Sequence, residues 1–278
     1  MNLIRKRIQK IKTIYYITMN KKVSSPFLVS IEGNIGAGKS TVLEHLETYL
    51  FKACPNLHGK VLFLKEPLDI WEQFHDENGH TILEKFYKNQ KRYAFTFQVM
   101  AYITRLSLLK TAIKENPNVE IIIIERSLCA DKNIFMNMLH DDGIVETMEF
   151  SIYNKWYTGF IEDYRVDAVI YMDSNPETCG LRINKRNRNG ENGIPIEYLK
   201  KCKDYHSKWL IETSCTDIQP VSDYVTLHTI EHENYKYPVL RIDSNTDTEY
   251  DTENIYSNCV GNQWLNAIRK FICQEFCK

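Results

Sequence analysis

The densest chemistry in the chain lies at Gly33-Asn34-Ile35-Gly36-Ala37-Gly38-Lys39-Ser40-Thr41. Gly33 to Ser40 fits the spacing G-x-x-x-x-G-K-[ST]. Glycines let a backbone wrap close to an anion and turn its N–H groups inward. A helix that starts where such a loop ends adds its positive pole. Lys39 would then reach a transferring phosphoryl group, and the Ser40 hydroxyl would hold Mg2+. The setting strengthens the pattern, because an apolar run at 27–31 precedes it and an amphipathic stretch at 41–50 follows. A nucleoside triphosphate with Mg2+ is the expected ligand. The motif leaves the acceptor open between water, a protein and a small molecule.

Such a loop needs a sheet behind it. Short apolar runs recur at 27–31, 61–64, 121–124, 168–172 and 239–242, rich in β-branched residues and without polar alternation. Strands buried on both faces of a parallel sheet read this way. Helical patterns at 41–50, 93–113, 147–164 and 196–210 lie between them. The alternation predicts an α/β fold: a five-stranded parallel sheet flanked by helices, built as one domain over 27–278 after a basic extension at 1–26.

In open α/β sheets, ligands bind beyond the carboxyl ends of the strands. There the chain places Glu66 before Pro67, Glu125-Arg126-Ser127, Asp173 and Asp243, so acids and bases are expected to converge at one end. Phosphoryl transfer needs an oriented nucleophile, a metal on the phosphates and cations for developing charge. Glu66 is placed to serve a hydroxyl acceptor and Glu125 a metal. Arg182 and Arg186 are four residues apart on one helical face. With Arg188 they lead into a polar loop, and the stretch at about 182–195 reads as an Arg-rich lid.

Composition removes other classes. Lys plus Arg is 35 against 36 Asp plus Glu, a net charge of -1, which is unlike a protein that holds nucleic acid by bulk electrostatics. No apolar run approaches the length of a membrane span. The eight cysteines are scattered without a C-x-x-C pair, which fits free thiols in a reducing compartment. Residues 1–22 carry Arg5, Lys6, Arg7, Lys10, Lys12, Lys21 and Lys22 with no acid, and Ile4, Ile8, Ile11, Ile14 and Ile17 at helical spacing. Poverty in serine favours a disordered basic tail, or chain upstream of a start at Met19, over a mitochondrial transit peptide. The cytoplasm is the expected compartment, and mitochondria if residues 1–22 do act as such a leader.

The motifs closely resemble those of the deoxynucleoside kinase family, in particular its deoxycytidine and deoxyguanosine kinases. The resemblance runs from about Phe27 to Asp247. It rests on the 31–40 loop, Glu66-Pro67 with Trp71, Phe95-Thr96-Phe97-Gln98, and Glu125-Arg126-Ser127. It continues through Pro176-Glu177-Thr178-Cys179 with Arg182, Arg186 and Arg188, and Gly193-Ile194-Pro195-Ile196-Glu197-Tyr198-Leu199. It implies a P-loop kinase fold and transfer from ATP to a sugar 5′-hydroxyl. Glu66 would take the proton, Arg126 would hold the 5′ position and the moving phosphoryl, and Lys39 and Arg126 would act in catalysis. Gln98 would read the base edge between Trp71 and Phe135, and Tyr87 and Glu191 would bind the 3′-hydroxyl. Arg182, Arg186 and Arg188 would close over the phosphates, Asp247 and its neighbours would surround the adenine, and Glu125 would hold Mg2+. It also implies a homodimer formed through helices near 95–165.

Arg105 lies two helical turns after Gln98, and Asp131 four residues after Ser127. A charged pair there crowds out the thymine methyl and offers polar partners to amino-bearing bases. Deoxycytidine, deoxyadenosine or deoxyguanosine is therefore expected over thymidine. The competing readings are a thymidine-preferring kinase, an Arg105–Asp131 bridge indifferent to base, and a nucleoside monophosphate kinase. In the last, the acceptor phosphate would need a cation where Glu66 stands. No N-K-x-D segment suggests a GTPase-like switch. Residues 211–237 form a long polar insertion, and neither it nor the tail from Ile255 carries a readable role.

Overall fold

A computed structural model describes residues 25–188, 190–191 and 193–277. The basic leader lies outside the described residues up to position 24.

Seven strands form one sheet in the order β2-β3-β1-β4-β7-β6-β5. They are β1 (Phe27–Gly33), β2 (Val61–Leu64), β3 (Ile121–Glu125), β4 (Ala168–Asp173), β5 (Gln219–Ser222), β6 (Val225–His232) and β7 (Tyr235–Asp243). The five expected runs are parallel neighbours: β2 pairs β3, β3 pairs β1, β1 pairs β4, and β4 pairs β7. The expected count of five is corrected by β6 and β5, which add antiparallel to β7. Both come from the 211–237 segment. Their residues face water on one side, so β6 alternates buried Val225, His228 and Ile230 with more exposed neighbours. A strand with one wetted face contains no apolar run to find.

The two faces of β3 separate cleanly. Ile121 and Ile123 join Val29, Ile31 and Ile170 on one side, while Ile122 and Ile124 join Leu28 and Val169 on the other. The first side is covered by α1 (Lys39–Ala53) and a C-terminal helix, α8 (Val260–Phe276). Each shows one apolar stripe at i, i+1, i+4, i+7 and i+8. In α1 it is Val42, Leu43, Leu46, Tyr49 and Leu50; in α8 it is Trp264, Leu265, Ile268, Phe271 and Ile272.

The other side is covered by four further helices, which carry most of the expected acceptor residues. They are α2 (Ile82–Lys88), α3 (Gln90–Glu115), α4 over residues 128–141, and α5 (Thr147–Phe160). Asp131–Met136 within α4 is π-helical. After β4 come α6 (Pro176–Arg186) and α7 (Ile196–Leu210), with the lid sequence between them.

Ile268 is fully buried between α1 and the sheet. Ile268→Ala should lower unfolding free energy by about 2–5 kcal/mol, read as a shift in the urea midpoint at unchanged slope.

Candidate active site

The glycine-rich loop is fixed by close packing. Gly33 has φ +148° and Gly36 has φ +79°. A Cβ on Gly33 would come within 2.6 Å of the Met172 carbonyl oxygen, and one on Gly36 within 2.6 Å of the Cys179 carbonyl oxygen. Gly38, at φ +95°, caps α1 in a conformation only glycine adopts freely. The Asn34 side chain turns away from the loop mouth and donates to the Leu199 carbonyl at 2.8 Å, which ties the loop to α7. Ile35, Gly36, Ala37, Gly38, Lys39, Ser40 and Thr41 line a cavity of about 580 Å³; Gly33 and Asn34 stand behind it.

Lys39 is buried and donates to the Asn34 carbonyl at 3.0 Å. Burial, with Arg126 nearby, pushes its ammonium down to about 8. Beside it the Ser40 hydroxyl donates to Glu125 at 2.7 Å. Among the described residues no three His, Cys, Asp or Glu gather around one point. A hydroxyl and one carboxylate suit Mg2+, which keeps waters and takes its remaining ligands from phosphates.

Glu66 sits between two guanidinium groups. Arg105 Nη2 donates to its Oε1 at 3.1 Å, and Arg126 Nε lies 3.5 Å from the same oxygen. Burial opposes the charge, but Arg105, Arg126 and Lys39 together hold the carboxyl below its usual range. Arg105 also grips Asp131, with Nε to Oδ2 and Nη2 to Oδ1 both at 3.2 Å. Burial pushes Asp131 up to about 6 against the pull of Arg105.

Arg126 is held in the left-handed region at φ +65°. That conformation costs a side-chain-bearing residue about 1–2 kcal/mol. Three contacts enforce it. Its N–H donates to Ile31, its Nη2 donates to Gly33 at 3.1 Å, and the next N–H, of Ser127, donates to Glu32 at 2.9 Å. Its guanidinium lies 4.7 Å from the Phe135 ring centre. Glu32 received no role from the sequence, yet it is wholly buried and anchors this turn. Its place inside the loop motif was the available signal.

The acceptor end of the cavity is aromatic. Trp71 donates from Nε1 to Thr104 at 2.9 Å and meets Phe97 edge-on at 5.5 Å. Phe86 stacks on Phe97 at 4.7 Å. Gln98, Arg105, Asp131, Tyr87 and Phe135 line the same space. The Gln98 amide oxygen and the Nη1 atoms of Arg105 and Arg126 are buried without a protein partner. Burial and nearby Glu191 keep the Tyr87 phenol far above its usual range, hence a donor.

At the other end the expected lid arginines are engaged with acids. Arg186 pairs with Glu191, and Arg188 reaches it at 3.2 Å. Glu191 therefore meets the lid arginines directly, while it and Tyr87 both border the cavity. Arg182 donates to Asp247 at 2.9 Å and to the Ser244 carbonyl at 2.8 Å, which joins α6 to the loop after β7. Tyr250 and Trp264 also border the cavity, and the sequence reading missed both, since they follow Asp247, where the motifs end.

The strand-end acids converge at one end of the sheet, with Asp173 beside Asp243 at the ends of β4 and β7, but these two do not line the cavity. Asp173 is buried against Arg241, at 2.6 Å, and Lys203. Asp243 accepts from the Asn245 backbone and side chain. Neither reaches the cavity, because each is already bonded to a neighbour beside it.

Residues 29–268 match the model of the deoxynucleoside kinase family. A fowlpox virus protein named probable deoxycytidine kinase is 36% identical over 237 residues, 84% of this chain and 85% of its own length. Human deoxycytidine kinase is 31% identical over 235 residues, 79% of this chain and 84% of its own. Mitochondrial deoxyguanosine kinase of Xenopus laevis is 28% identical over 276 residues, 92% of this chain and 93% of its own. This chain belongs to the deoxynucleoside kinase family. It is an ATP-dependent phosphotransferase. The family match extends past the tail's start into α8 as far as residue 268.

The low value at Lys39 sets a pH dependence. Its charge is complete well below pH 8, half lost at about 8 and gone above it. A bound triphosphate favours the charged form, so ATP binding should take up a proton above pH 8 and weaken there, while staying flat from pH 6.5 to 7.5. Calorimetric titration of ATP in buffers of different ionisation enthalpy reads that uptake directly.

Proposed function

We propose that this kinase transfers the γ-phosphoryl group of ATP, with Mg2+, to the 5′-hydroxyl of a deoxynucleoside, preferring deoxycytidine, deoxyadenosine or deoxyguanosine to thymidine, in nucleotide salvage. The arrangement that carries the reading is the Glu66 carboxylate, ionised between Arg105 and Arg126 and facing the cavity beside Lys39. A hydroxyl acceptor placed there meets a proton acceptor and two cations at once.

The depressed Glu66 value makes it a weak base toward a resting alcohol. In a loose phosphoryl-transfer transition state this is sufficient, because the hydroxyl becomes acidic only as its bond to phosphorus forms. Glu66 then orients the oxygen early and takes the proton late. Arg126 and Lys39 face the charge that develops on the moving group. Ser40 and Glu125 would hold Mg2+, which neutralises charge on the phosphates. Arg182, Arg186 and Arg188 form the lid, at about 182–195, and Asp247 belongs to the adenine loop.

Gln98 supports base reading through its unpartnered amide oxygen, which suits a donor on a base edge. Arg105 and Asp131 supply the charged wall behind it. A monophosphate acceptor fits less well, since its phosphate would approach the Glu66 carboxylate. For the homodimer, Met148, Ile152, Trp156 and Phe160 recur every four residues on α5, each exposed, with Ile103 exposed on α3. An apolar stripe of this kind suits a second copy. Trp156→Glu should shift the sedimenting species from dimer to monomer.

ADP release with each of the four deoxynucleosides, against a blank without acceptor, tests the central reading. Turnover with an amino-bearing base well above thymidine is expected, with a loss of about 10²–10⁴ in kcat for Glu66→Gln. Thymidine as best acceptor would remove the base argument. Turnover confined to monophosphates would remove the assignment of Glu66.

A further inference from the structure

The insertion that extends the sheet also touches the segment carrying Asp131. β6 and β7 are joined by a two-residue turn, Glu233 at φ +49° and Asn234 at φ +66°. Hairpins of this kind want Asn, Asp or Gly at both positions. Asn234 obeys. Glu233 does not, and a glutamate held in the left-handed region is strained by roughly 1 kcal/mol or more. The compensation is in its side chain. One carboxylate oxygen pairs with Lys132, and the other accepts from the Tyr157 hydroxyl at 3.2 Å. The preceding residue repeats the contact, with His232 Nε2 3.2 Å from Asn133 Oδ1. Tyr157 completes the junction: Lys132 lies 4.5 Å from its ring centre, and its hydroxyl reaches Cys129 at 3.7 Å.

These partners lie close together near the start of α4. Cys129, Lys132 and Asn133 are held from one side by α5 and the hairpin, while Asp131 points the other way to Arg105. The held stretch coincides with the start of the π-helical turn Asp131–Met136. Such turns are rare, occur mostly as single-turn bulges inside α-helices, and are frequent at functional sites.

We infer that Glu233 is a positioning residue for base selection: from the hairpin tip it clamps Lys132 and so holds the π-helical turn that sets Asp131 against Arg105. The inference rests on the reading above that Arg105 and Asp131 face the base. Glu233 itself touches neither ligand.

Two replacements remove the carboxylate without breaking the turn, because Glu233→Gly and Glu233→Asn both suit φ > 0. In each, the KM for the best deoxynucleoside should rise about tenfold, with discrimination against thymidine falling by a similar factor. The KM for ATP should stay unchanged, and amides 131–136 should exchange faster with deuterated water. Lys132→Met should reproduce the effect, and the double variant should add little to either single change. Unchanged deoxynucleoside KM and unchanged exchange at 131–136 would overturn the inference. So would an equal rise in both KM values with a lowered melting temperature, which marks general destabilisation. A wild-type enzyme indifferent to base, or inactive on nucleosides, would sink the base-selection reading alone. The exchange comparison would still decide the clamp.

Discussion

Removing Arg105 and Arg126 from water is the constraint around which the acceptor side of the molecule is built. Each buried ion costs several kcal/mol unless its hydrogen bonds are met by groups of opposite charge. Glu66 and Asp131 answer Arg105, while Glu66 and the Gly33 carbonyl answer Arg126. Every participant comes from a different stretch of chain, so the network forms only when β1, β3, α3 and α4 are all in register. The two faces of β3, buried along its whole length, fix that register. A slip of one residue would turn Ile122 and Ile124 to the wrong side and carry Glu125 away from Ser40.

The network has three atoms left over: the Gln98 amide oxygen and one nitrogen on each arginine. Full satisfaction would have made an inert core. Leaving these groups on the cavity side gives a ligand something to complete, while the paired groups behind them keep the arginines from swinging. The donor side follows a different logic. There the arginines lie nearer the surface: Arg182 meets the exposed Asp247, a pair of the weak surface kind, while Arg186 and Arg188 share the buried Glu191.

Legibility in the sequence followed the locality of the cause. The glycine-rich loop could be read because its glycines are demanded by backbone within a few residues and by one neighbouring strand. Glu66, Glu125 and Arg126 could be read because strand ends are where a parallel sheet presents side chains. Gln98 and Arg105 could be paired because helical geometry puts them on one face. Tyr250, Trp264 and the packing of α8 could not, since only tertiary contact reveals what an amphipathic helix covers. β5 and β6 were hidden by their polar face. The pairing of Asp173 could not be read because its partners, Lys203 and Arg241, lie far along the chain. Glu32 was in view but silent, since a buried acid declares its purpose only when the amide it accepts from is known.

The packing of α8 on the same apolar layer as α1 has a consequence for how the molecule comes into being. α1 begins at the end of the glycine-rich loop, near the start of the described chain, whereas α8 begins at Val260. On a ribosome the loop and its helix emerge long before α8, the helix that completes the cover of that side. Until then Leu46, Leu50 and their neighbours have no roof, and an ordered nucleotide loop has nothing to rest against. This side therefore closes only after α8 has emerged, and until then the nascent chain exposes apolar surface, a natural client for chaperones.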